Sequence, residues 1–70
     1  MPNMKEIAIR ASEDAFRDGI KTAAAMLVTN LLLATTDQER TACIERHHSG
    51  LRVWKEAHEA TVTAIDEIFP

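Results

Sequence analysis

Seventy residues with 8 Lys+Arg against 11 Asp+Glu, a net charge of -3, make at most one structural unit and leave no room for a cofactor lobe beside a substrate lobe, which excludes a large enzyme. The acidic balance repels polyphosphates unless the basic residues cluster on one face, and they are scattered along the chain. With 46% hydrophobic and 27% charged residues, 2 Gly and 2 Pro, the composition is too apolar for disorder and favours helix, while a single cysteine excludes an internal disulfide and points to a reducing compartment.

In chain order, Asn3 followed three residues later by Glu6 predicts a reciprocal cap, with the Asn side chain accepting from a first-turn N–H and Glu6 reaching back. A helix follows from about Met4 to about Ala34. At about 100° per residue, Met4, Ala8, Ala11, Ala15, Phe16, Gly19, Ile20, Ala23, Met26, Leu27 and Leu31 share one broad side, with Glu6, Arg10, Glu13, Asp14, Arg17 and Lys21 opposite. The apolar side keeps its phase across Asp18-Gly19, so one continuous helix is predicted despite the ~1 kcal/mol an interior Gly costs relative to Ala. The stretch Thr22 to Thr36 is free of charge over 15 residues, short of the ~20 that cross a bilayer. No signal-like segment precedes it, and the expected location is cytoplasmic.

A turn at 35–36 is predicted, because Thr36-Asp37-Gln38-Glu39 places a hydroxyl at an N-cap, an acid at the positive end of the dipole and Glu at the third helical position. The second helix runs from Asp37 to about Ile68. Its apolar set, Cys43, Ile44, His47, Leu51, Trp54, Ala57, His58, Thr61, Ala64, Ile65 and Ile68, repeats in threes and fours straight through Ser49-Gly50. A helix–loop–helix break at Gly50 is the lesser alternative. Exposed pairs Glu6–Arg10, Glu13–Arg17, Arg52–Glu56 and Lys55–Glu59 are expected as surface support.

The expected architecture is an all-α antiparallel hairpin of two long helices, residues 1–70 forming one domain. Each apolar side spans about half of its helix, wider than a two-helix contact needs, which is the pattern of a helix with two neighbours. A core of this size rarely supplies more than ~3–5 kcal/mol, so two hairpins are expected to pair into a homodimeric four-helix bundle. Its core or dimer residues are Phe16, Ile20, Leu27, Leu31, Ile44, Leu51, Trp54 and Ile65.

On the back of the first helix Ala25, Val28 and Leu32 continue in apolar form the line begun by Arg10, Asp14 and Lys21. Either the dimer surrounds them or they form an exposed patch for another protein. Trp54 is read as a core anchor or as a hot spot. Arg40 and Arg46, near the turn, either pair with Glu39 or Glu45 or present a fork to a partner's carboxylate.

Cys43 and His47, four apart on one face, are weak metal candidates, because two copies would be needed to complete a Cys2His2 tetrahedron. As nucleophile and base they lack an orienting third residue, so no catalytic residue, metal or cofactor is assigned. His47 and His58 lie about 16 Å apart along the helix and are read as structural, or as a pH switch across a dimer.

The function these features favour is binding. The expected molecule is a small regulator, an inhibitor, antagonist or adaptor, that docks a helical homodimer onto a larger protein through Ala25, Val28, Leu32, Arg46 and Trp54. Proteins of this size and kind are frequent among accessory proteins of phages and mobile elements. The alternative is a Rop-like or helix-turn-helix nucleic-acid regulator. The hairpin architecture is similar to the Rop-type RNA-binding dimer, but no motif here matches it. A helix-turn-helix wants a small residue where Arg46 stands and a basic helix where Glu56 and Glu59 lie beside Arg52 and Lys55. Neither nucleic acid nor membrane is an expected partner.

Overall fold

The computed structural model describes residues 3–70, and it is an antiparallel hairpin of two helices, α1 (Met4–Leu33) and α2 (Asp37–Ile68). Each helix starts where a polar side chain replaces the missing backbone acceptor. At α1, Asn3 is extended and its Oδ1 accepts from the Glu6 N–H at 2.8 Å. Glu6 makes no return bond to Asn3 among the described residues, so the reciprocal cap is only half formed. At α2, Thr36 Oγ1 accepts from the Glu39 N–H at 3.1 Å. Glu39 reaches one residue further back than a capping box requires: its Oε2 accepts from the Thr35 N–H at 2.7 Å and from the Thr35 hydroxyl at 3.1 Å. Those bonds favour the charged carboxylate and lower its pKa below the ordinary glutamate value.

α1 ends because Ala34 turns extended (ψ 133°), its N–H still bonded to the Asn30 carbonyl. The connection is therefore residues 34–36, and no described residue needs a left-handed backbone. Both helices run unbroken through their glycines. Arg40 pairs with Asp37 at 2.9 Å, with neither of the expected carboxylates, Glu39 or Glu45. Glu39 is already occupied by the turn.

The helices meet along a narrow seam. In α1 it runs through Ile9, Ser12, Phe16, Gly19, Ala23, Leu27 and Asn30, in α2 through Cys43, His47, Leu51, His58, Val62 and Ile65. All of these are half-buried except Gly19 and Ile65, which are buried. From the open end toward the turn, Lys5 Nζ lies 3.2 Å from Asp66 Oδ1. Next, Ser12 Oγ lies 3.3 Å from His58 Nδ1, and Phe16 stacks on His58 with centroids 4.6 Å apart. At mid-length the indole of Trp54 covers Gly19 so closely that a Cβ there would lie 2.5 Å from Trp54 Cη2, whereas a Cβ at Gly50 meets nothing within 4 Å.

Of the four expected surface pairs, Lys55–Glu59 forms at 4.0 Å. Arg17 lies 3.8 Å from Asp14 in place of Glu13, and the other two do not close among the described residues. All are exposed and contribute a few tenths of a kcal/mol at most. The Cα envelope measures 52 × 20 × 7 Å, one helix thick. No described helix is long and apolar enough to cross a membrane.

Replacing an interior helical Gly by Ala ordinarily stabilises by ~1 kcal/mol. Gly19→Ala is expected instead to lower the melting temperature and to red-shift the emission of Trp54, the only tryptophan, because the rigid ring must swing into solvent. Thermal melts and fluorescence check this. For Glu39, a folded pKa below the ordinary glutamate value of 4.5 means that its stabilisation is present above that value and lost as pH falls through the lowered one. Glu39→Gln should lower the melting temperature at pH 7, and its gap to the parent should narrow below about pH 4.5, as measured by melts across pH 2–8.

Candidate protein-docking surface

α1 changes character half-way along. Val28 stands nine residues beyond Gly19, about 180° round the helix at 100° per residue, so it points directly away from the seam. Ala25 and Leu32, three before and four after, complete a stripe on the outer side of α1. All three are exposed, Val28 at 57% and Leu32 at 81%. Neither figure fits a side chain with work to do inside an isolated hairpin.

Arg46 and Trp54 lie elsewhere. They border an open groove between the two helices, of about 210 Å³, together with Met26, Leu27, Cys43 and His47. The five residues singled out from the sequence therefore form two surfaces: an outer stripe on α1, and an inter-helix groove holding Arg46 and Trp54. Trp54 is 39% exposed and Ile44 42%. Phe16, Ile20, Leu27, Leu31 and Leu51 are half-buried, and of the eight core or dimer residues Ile65 alone is buried.

The chemistry-bearing side chains are engaged in packing. His58 is held between the Phe16 ring and the Ser12 hydroxyl. Cys43 and His47 line the same groove, but among the described residues no three His, Cys, Asp or Glu side chains come together as a metal site. On the opposite face a shallower groove of about 540 Å³ has Phe16, Ile20 and Ala24 as its floor and Glu13, Arg17 and Lys21 along its border.

Sequence reasoning missed Ile9 and Val62 in the seam, Ser12 as the partner of His58, and the Lys5–Asp66 pair across the open end. Ile9 and Val62 carried a readable signal, since a repeat of about 3.5 residues links them to Phe16 and Ile65. Ser12 carried none, since pairing it with His58 needs the register of one helix on the other. No protein-family model, curated protein or solved structure gives a significant match to the chain.

The accessible surface is 5533 Å², against about 4,400 Å² for a compact monomer of 7.8 kDa. The excess of roughly 1,100 Å² is the surface of a layer without a second layer against it. Zinc added to the purified chain is expected to leave the melting temperature unchanged. A rise that Cys43→Ser abolishes would instead identify a four-ligand site shared by two copies.

Proposed function

We propose that this chain is a small protein-binding regulator: two hairpins pair into a four-helix bundle, and the bundle docks onto a larger protein through the Ala25–Val28–Leu32 stripe, inhibiting it or bridging it to another molecule. The observation that carries this reading is the stripe itself, three exposed apolar side chains, Val28 and Leu32 more than half so, on the side of α1 that faces away from α2. A second helix pair covering one face of the hairpin leaves this side open. A two-fold pair presents the stripe twice, which suits both a blocking and a bridging role. Binding through such a surface is driven by apolar burial around a few anchors, and Leu32 is the most exposed of them.

The nucleic-acid alternative is disfavoured by charge. Lys5, Arg17, Arg40 and Lys55, half of the 8 basic residues, are paired with carboxylates of the same chain, and the net charge stays negative. A duplex or hairpin RNA probe is expected to show no salt-sensitive shift.

Leu32→Glu is the direct test. The variant should retain the parent's helicity and oligomeric state and lose the partner that the parent captures from the source cell. Loss of the dimer in this variant would assign the stripe to self-association and overturn the docking role.

A further inference from the structure

We infer that the second copy of the chain seats on one particular face of the hairpin, the face carrying Ala15, Met26, Trp54 and Ala57, and that the opposite, charged face becomes the outer surface of the pair. This rests on the homodimer proposed above and says which side of the layer is its inside.

The grooves define the face. One is lined by Ala15, Ala57 and Thr61 beside Trp54, and a second by Met26, Gly50 and Arg46 beside the same Trp54, so both helices contribute to one continuous surface. Helical phase extends it to Met4 at the open end of α1, in line with Ala8, Ala11 and Ala15, and to Ile68 at the end of α2. Its charges are few: Arg46 and, toward the turn, Glu39 line one groove with Leu33, and Asp18 stands at its α1 border, seven residues after Ala11. The other face carries Glu13, Arg17 and Lys21 from α1, and phase places Lys55 and Glu59 of α2 beside them.

The distribution of exposed large hydrophobics decides between the faces. Of the ten exposed above a third among the described residues, six (Met4, Met26, Leu33, Val53, Trp54 and Ile68) belong to the apolar face or its border, and only Ile44 to the charged one. The remaining three, Ile7, Val28 and Leu32, are on the outer side of α1.

Size and self-complementarity select a second copy as the occupant. The layer's 52 × 20 Å outline gives a footprint of about 1,000 Å² per copy, close to the roughly 1,100 Å² by which the single hairpin exceeds a compact protein. Two such footprints bury about 2,000 Å² in all, at the threshold of obligate homodimers. An isologous contact requires a patch that matches itself. A face of small side chains with few charges meets its own copy with little repulsion and lets the helices approach closely, whereas covering the other face would take Glu13, Arg17, Lys21, Lys55 and Glu59 out of water.

The experiment is sedimentation equilibrium on the purified full chain with two exposed alanines replaced in turn. Ala57→Glu places a carboxylate in the apolar face and should raise the dimer dissociation constant by about 100-fold or more, while Ala24→Glu on the charged face should leave it within about twofold. Iodide quenching gives a readout that needs no variant: Trp54 should be protected in the dimer and become quenchable on dilution below the dissociation constant. Dissociation by Ala24→Glu, or a dimer whose Trp54 is quenched as freely as in the monomer, overturns the assignment of the face while leaving the homodimer standing. A parent chain that sediments as a monomer throughout overturns the homodimer itself, and the face with it.

Discussion

Two cylinders laid side by side touch along a line, and this constraint governs the rest of the molecule. However apolar the helices are, a single pair can bury only the side chains that point along the line of contact, and here that is Gly19 and Ile65, with the rest of the seam half-buried. Stable domains ordinarily place a second layer against the first. This chain of 70 residues spends nearly all of them on one layer, so its largest apolar surfaces belong to whatever lies against it.

Within the layer, register is set where large side chains meet small ones. Trp54 needs the missing side chain at Gly19, and no other α1 residue near the middle of the seam leaves that space. One turn toward the open end, Phe16 and Ser12 hold His58 by stacking and by a hydrogen bond. Lys5–Asp66 closes the end, though its exposure makes it a guide rather than a source of stability. Sliding one helix along the other by a turn would push Trp54 against Phe16 or Ala23 and leave His58 without its partners. The glycine that looks like a helix breaker in isolation is thus the seat of the largest side chain in the protein.

The outer stripe on α1 and the apolar face of the layer are centred about a quarter turn apart on that helix, and they meet at a groove lined by Ala25 and Met26. Two exposed apolar surfaces on one short chain are what the proposed self-association and the proposed docking each require.

The amino-acid sequence by itself determined the elements. Caps at Asn3 and Thr36 and apolar residues repeating in threes and fours set two helices and their turn, because those signals act within a few residues of one another. Helical phase alone also placed Ala25, Val28 and Leu32 on one line, since a stripe on a single helix needs no knowledge of its neighbour. What only the tertiary structure decided is everything that depends on register and roll: that Gly19 receives Trp54, that His58 finds Ser12, that Ile9 and Val62 enter the seam, and that Arg46 and Trp54 border a groove apart from the outer stripe. A broad apolar side spans far more of the helix than a partner can cover. Which part of it is used follows from how the two backbones come together, and that is a balance of many small packing energies summed along the whole contact.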